Sequence, residues 1–388
     1  MSSTRMAHAD RGGFALPAAI MALVLLSALV AGALFVSTEE LRAGRTDLAD
    51  QRAMATAEWA LERAIAAWDP RRNTSLAIGA SEFVGDTADD GVATTGDRVV
   101  VTATRVQRSG FLITAYGAYA SDGRGIPTRH TIAASLTLVN ARIPLRATLT
   151  AGGVVTVDGG VIEGIDTTTA APAGLCNEGA ASSVAGVAVP DTTLVCGAQC
   201  SGVPPAGVTG TPPVALATGL TNDSTGVSGG VDAAAALADR ASIDLPGGTL
   251  APRPSVRASQ CDRADPLNWG DPGRAGACAD YYALVHVRGS LVLAAGSVGQ
   301  GILLVDGSLV VEAGARFVGV VIVGDDIVVA GTGAEIVGIA FAQDGDRAGG
   351  SRIADGGTIR FASCAVSRAV LGTSRLTRTP ERWWVELR

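Results

Sequence analysis

From Phe14 to Val36 the chain reads FALPAAIMALVLLSALVAGALFV, 23 residues without a charged side chain. At ~1.5 Å per residue, a helix of that length crosses a hydrocarbon layer of ~30 Å. Arg5 and Arg11 precede the run and Glu39 and Glu40 follow it, which predicts that the short N terminus stays on the cytoplasmic side. A cleaved secretory signal fits less well, because its apolar region is usually only ~7–15 residues. A lipoprotein signal does not fit, since the first cysteine is Cys176.

The helical pattern does not stop at the end of the span. No proline occurs between Pro17 and Pro70, and strong helix formers continue to Trp68. Pro17 is tolerated in the first turn, where its missing N–H has no helical partner to lose. Met54, Leu61, Ile65 and Trp68, with Ala57 between them, recur at helical spacing and predict one face docked on a head. Leu41 and Leu48 lie on a roughly opposite side, free for other neighbours. One continuous helix from about Phe14 to Trp68 would be ~80 Å long.

These residues carry a family resemblance. Arg11-Gly12-Gly13-Phe14-Ala15-Leu16, opening a long apolar helix that turns amphipathic, resembles the class III signal of type IV pilins and pseudopilins. The continuation ATAEWALERAIAAW (residues 55–68) resembles the same segment of PilX-type minor pilins and of the large pseudopilin of type II secretion. The resemblance implies cleavage after Gly13 by a prepilin peptidase and N-methylation of the new Phe14 amine. It further implies assembly by an inner-membrane platform and packing of the retained helix, through Ala18, Leu41 and Leu48, among other pilins or minor pilins. One position departs from the pattern. The family usually has Glu as the fifth residue of the mature chain, to pair with a neighbouring subunit's amine, and Ala18 stands there. A carboxylate in lipid is costly unless paired, so its absence suits a subunit at the tip, with none above it.

Beyond Pro70 a polar stretch to Asp97 reads as loop. Arg98–Val106, Gly110–Ala120 and Arg129–Val139 then read as strands joined by short turns, an antiparallel sheet packed on the helix. From Tyr282 onward two motifs repeat. Gly289-Ser290-Leu291-Val292, Gly307-Ser308-Leu309-Val310 and Asp325-Asp326-Ile327-Val328 recur every 18 residues. Gly301–Val305, Gly319–Val323 and Gly338–Ala342 recur at 18 and 19. A unit this short cannot bury its own apolar face and must stack on the next. The expected fold class is therefore α+β: a long N-terminal transmembrane and amphipathic helix, a small antiparallel sheet, then a parallel β-helix of about 18 residues per coil. A glycine-rich β-sandwich is the rival, but the period holds in two independent motifs. Composition agrees with small stacked side chains: 50 glycines in 388 residues and only 4% aromatics. The run Ala151–Gly164 has the same texture and reads as a first coil.

The expected boundaries are a leader at 1–13, the helix at 14–69, a pilin-like sheet head at 70–147 and a solenoid at 148–388. A long Gly/Pro-rich insertion at about 167–281 interrupts the solenoid. Residues 231–241 read as a short helix, Ala365–Ser374 as a helix capping the solenoid edge, and Trp383 and Trp384 as an anchor for the terminus.

All six cysteines, Cys176, Cys196, Cys200, Cys261, Cys278 and Cys364, fall on the side the anchor places outside, where disulfides form. Cys261 with Cys278, and Cys196 with Cys176 or Cys200, are the local staples that spacing suggests. The Cys196-x3-Cys200 pair lacks a nearby histidine, so no zinc site is expected. No catalytic motif is present, and no cofactor is expected. His130 and His286 read as sheet-face residues. Asp86–Asp90 and Asp325-Asp326 read as solvated turns rather than Ca²⁺ ligands. Asp306, Glu312 and Glu335 are the only acids able to form a solenoid-groove pair, and their positions single out no site. With 30 basic residues, all arginine, against 37 acidic ones, the net charge is −7 and no nucleic-acid surface is expected.

The functional expectation is a non-enzymatic minor pilin-like subunit at or near a filament tip. The alternatives are a type II secretion pseudopilin, and a membrane-anchored β-helix protein that binds or cleaves surface polysaccharide.

Overall fold

The computed structural model describes residues 15–86, 97–119, 127–139, 143–167, 183–197, 203–217, 231–273, 276–343, 349–379 and 385–387. The expected leader, Gly13, Phe14, Cys176, Cys200, Trp383 and Trp384 lie outside these residues.

The chain opens on α1 (Ala15–Ala66), followed by the single turn α2 (Arg72–Ser75). Strands β1 (Ser81–Asp86), β2 (Asp97–Gln107), β3 (Gly110–Tyr119) and β4 (Thr128–Val139) then form an antiparallel meander. Its inner face presents Val99, Val101, Ala103, Ile113, Ala115, Ile132, Ala134 and Leu136 to the C-terminal half of α1. Strand alternation supplies every second one of these residues, as one buried sheet face requires.

The chain next winds into a coil through β5 (Ala147–Ala151), β6 (Val155–Asp158) and β7 (Val161–Glu163). A second turn uses β8 (Ala185–Val189), β9 (Val195–Cys196) and β10 (Val208–Thr209), and β11 (Val214–Leu216) ends that side of the stack. After α3 (Val231–Ala238), β12 (Ile243–Leu250) lies at the opposite end. A small hairpin of β13 (Val256–Arg257) and β14 (Gln260–Cys261) follows. The repeats then wind back toward the first coil through β15 (Ala283–Leu293), β16 (Val298–Val305), β17 (Leu309–Val311), β18 (Arg316–Val323), β19 (Ile327–Ala330), β20 (Glu335–Ala342), β21 (Ser351–Ala354) and β22 (Thr358–Arg360). Here β20 pairs with β5, β21 with β6 and β22 with β7, all parallel. The Ala151–Gly164 coil therefore stacks on the last repeat, in mid-stack, and strands β8–β12 within residues 167–281 supply further coils.

Pairing follows the repeat period. Leu291, Leu309 and Ile327 align, as do Gly301, Gly319 and Gly338. One inward ladder runs Ile243, Val285, Leu303, Val321, Ala340, Leu149, Val187 and Val214. Another runs Leu250, Leu293, Val311, Val329, Ile353 and Val157. Each buried Val or Leu contributes roughly 1.5–3 kcal/mol. At the β12 end the fully buried Trp269 fills the interior, in space left by Gly299 beside Phe317. The Cys261–Cys278 disulfide ties down the segment that covers this end. Cys196 and Cys364 are disulfide-bonded as well.

Strands β16, β18 and β20 are apolar on both sides. Their outward Ile302, Leu304, Val320, Ile322, Ile339 and Phe341 are covered by α4 (Ser363–Gly372) through Val366 and Ala369, with Leu237 of α3 alongside. The terminal helix thus covers a solenoid face rather than its edge, because that face, buried on both sides like most parallel sheets, is where uncovered apolar surface remains. The chain then leaves the solenoid. Strands β23 (Arg375–Arg378) and β24 (Val385–Leu387) both pair antiparallel with β4, so the last residues complete the first sheet.

The aligned Gly301, Gly319 and Gly338 have φ of +123°, +137° and +135°, the region that favours glycine. A Cβ on Gly319 would sit 2.0 Å from the carbonyl oxygen of Gly301 in the coil below. Gly319→Ala is therefore expected to destabilise the protein by about 3 kcal/mol or more, read as a lowered denaturation midpoint.

Candidate functional site

α1 divides into two halves by what surrounds it. Every residue from 16 to 48 is exposed, including Leu41 at 64% and Leu48 at 51%. Its most apolar window has a mean hydropathy of 2.7, long and apolar enough to cross a membrane. Three hydroxyls in this half turn back on the helix: Ser27 Oγ donates to the Val24 carbonyl and Thr38 Oγ1 to that of Phe35, both at 2.8 Å, and Thr46 Oγ1 to that of Arg42 at 3.0 Å. A hydroxyl bonded in this way presents no unmet donor to an apolar surrounding. Ala18 stands exposed in this half, within the first turn from Ala15.

From Ala49 onward the helix is seated on the sheet. Ala49, Ala53, Ala57, Ala60 and Ala64 line the contact, with Leu61 fully buried among them. Met54, Ile65 and Trp68 are half-buried. The alanine stripe at helical spacing allows a very close approach. A Cβ on Gly117 of β3 would lie 2.4 Å from the Ala53 carbonyl oxygen and 2.8 Å from the Ala57 nitrogen. Polar contacts flank the seam. Arg52 Nη1 donates to the Tyr119 hydroxyl at 2.5 Å, His130 Nε2 meets Asp50 Oδ1 at 2.6 Å, and Arg378 pairs with Glu62.

Where the helix ends, a buried polar knot joins it to the rest of the molecule. Trp68 packs edge-on against Phe111, ring centroids 5.0 Å apart, and its Nε1 donates to Asn73 Oδ1 at 2.8 Å. Asn73, fully buried, donates through Nδ2 to the carbonyls of Leu371 and Ser374, at the end of α4. Arg105 of β2 is also fully buried and donates to the carbonyls of Asn73, Leu76 and Arg108. Its guanidinium lies over the Phe111 ring at 5.2 Å. Burial, then the nearby Arg108, push its pKa down to about 10, still charged at neutral pH. Asp69 pairs with Arg71 at 2.7 Å and with Arg263 of the solenoid at 2.5 Å. Burial works to raise the Asp69 pKa, but hydrogen bonds from Arg71 and Arg263 outweigh it and hold it at about 2.

The solenoid acids are engaged in structural pairs. Asp306 meets His286 Nε2 at 2.9 Å, with Asp244 at 3.5 Å from the other ring nitrogen. Glu335 lies 2.8 Å from Arg316 and 3.7 Å from Arg360, and Glu312 accepts from the Ala295 amide at 3.0 Å. Asp325 accepts from Ser308 Oγ, and Asp326 from the Gly350 amide, both holding turns. Among the described residues no three His, Cys, Asp or Glu side chains are grouped to hold a metal ion. Sequence reasoning passed over Asn73, Arg105 and the alanine stripe. The 4-4-3-4 spacing of the alanines was visible, but no local signal marks Asn73 or Arg105, whose partners are remote in sequence.

Gly117→Ala is expected to lift the helix off β3 and cost about 2 kcal/mol or more in denaturant unfolding of the full chain in detergent. Because the folded pKa of Asp69 lies below its ordinary 3.8, its contribution is complete above that pH and disappears as pH falls toward about 2. Asp69→Asn is expected to be less stable at neutral pH, with a flatter loss of stability across that acid window in thermal melts.

No protein-family model matches the chain, and no curated protein matches it. Among solved structures it is similar to the competence-associated pilin ComZ from Thermus thermophilus, at 12% identity, over 88% of this chain and 97% of that one, with a TM-score of 0.21. A superposition this loose fixes neither family nor function.

Proposed function

We propose that the protein is a non-enzymatic, pilin-like subunit of a type IV pilus or related filament, held at or near its tip. The observation that carries this reading is the exposed apolar half of α1, continuous with a half seated on the head. An apolar surface of that extent needs either lipid or other apolar helices around it. In this reading it has lipid first, as a single inner-membrane span with the N terminus cytoplasmic. A prepilin peptidase then cuts after Gly13, the Phe14 amine is methylated, and an assembly platform transfers the helix among those of other pilins. Ala18, where the resemblance leads one to look for a carboxylate, and the bulk of the solenoid both favour a terminal place in the filament.

Mass spectrometry of protein recovered from sheared filaments tests processing and incorporation together, and N-methyl-Phe14 is the expected N terminus. Intact residues 1–13 in cells with an active prepilin peptidase, or recovery from membranes alone, would contradict the proposal. Leu41→Arg and Leu48→Arg are expected to stop incorporation while changing the stability of the detergent-solubilised chain by less than about 0.5 kcal/mol, since both residues are exposed.

A further inference from the structure

Between the helix end, the solenoid and β23 lies a cavity of about 280 Å³. Four arginines from four separate segments line it: Arg71 after α1, Arg240 after α3, Arg263 after β14, and Arg375 at the start of β23. The one acid in its wall, Asp280, is engaged by Arg368 at 3.1 Å. Asp69 serves Arg71 and Arg263 together. Five arginines against these two carboxylates leave an excess of three positive charges, in a chain whose net charge is −7.

Among the described residues Arg240 and Arg375 have no carboxylate partner. Buried guanidinium N–H groups here also lack acceptors: Nε of Arg240, and Nε and Nη1 of Arg368, whose side chain is only 3% exposed. An unmet buried donor costs ~1–3 kcal/mol, so an acceptor seated in the cavity beside Arg240 would be stabilised there. The C-terminal end of α4 also borders the cavity, and its carbonyl dipole opposes an anion. Those carbonyls are already occupied: Ala369 accepts from the Thr373 amide, and Leu371 from the Ser374 amide and from Asn73. The arginines are thus not consumed in capping the helix.

We propose that this cavity binds a small oxyanion carrying more than one negative charge, a phosphate or phosphate monoester, clamped by Arg240 and Arg375 with Arg71 and Arg263 completing the shell. Several guanidinium groups lining one cavity suit a tetrahedral group with several acceptor oxygens better than a planar monocarboxylate. The site is independent of the filament reading.

The test is calorimetric titration of the full-length chain in dodecyl maltoside with inorganic phosphate, and with acetate at matched ionic strength. Saturable one-site phosphate binding, at least about tenfold tighter than acetate, is expected. Arg240→Gln and Arg375→Gln, each made singly, are expected to weaken it at least about tenfold, whereas Arg288→Gln, an equal charge loss at an exposed solenoid corner, leaves it unchanged. No saturable heat with the unaltered chain overturns the proposal whatever the variants do. Equal binding of acetate, or equal weakening by Arg288→Gln, overturns it too, by showing general electrostatic attraction instead of a built site.

Discussion

Helix and sheet meet in this protein because both give up side-chain bulk at the same place. The alanines at 49, 53, 57, 60 and 64 bring the α1 backbone so close to β3 that only glycine fits at position 117. A seat of this kind gains little from any single side chain and much from the dense packing of backbone against backbone. It also fixes the direction in which the helix projects, since a shift of one residue would place Met54 or Thr56 where an alanine must lie. The exposed half of α1 inherits that direction, because nothing between residues 16 and 66 interrupts the helix.

The same economy explains how a long solenoid is fitted into a small sheet. The solenoid is an insertion between β4 and β23, two strands that pair with each other. Its entry and exit must therefore lie close together, as domain insertion generally requires. Entering in mid-stack satisfies this: β5 and β7, where the chain arrives, pair with β20 and β22, where it departs. The coil grows away from this seam in both directions, and α4 closes the circuit by covering an apolar face on its way back. Asn73, Arg105, Asp69 and Arg263 then lock the junction, with buried donors meeting backbone carbonyls and one carboxylate shared by two arginines.

Local pattern disclosed much of this architecture. The charge-free run and its helical continuation announced α1, and the 18-residue period announced parallel coils, whose register follows it from β15 to β19. What stayed hidden depended on partners far away in the chain. Strand β1, with the weak pattern SEFVGD, is recognisable only from its pairing with β2, and β23 and β24 only from theirs with β4. The mid-stack entry leaves no trace in a period, which carries spacing but not stacking order. Along the helix, large side chains drew attention to Met54, Leu61, Ile65 and Trp68, whereas closeness of approach is governed by the small ones beside them. Arg105 and Asn73 read as ordinary polar residues because their acceptors are main-chain carbonyls, which have no sequence signature.

The alanine seam and the buried junction together make α1 and the solenoid one body. Electron–electron dipolar spectroscopy between spin labels at Leu48 on the helix and Arg288 on the solenoid, both exposed, measures this directly in the full chain. A single narrow distance distribution is expected in detergent at neutral pH. A broad or two-peaked distribution in a folded sample would mean that the helix swings freely on its head, and would contradict it.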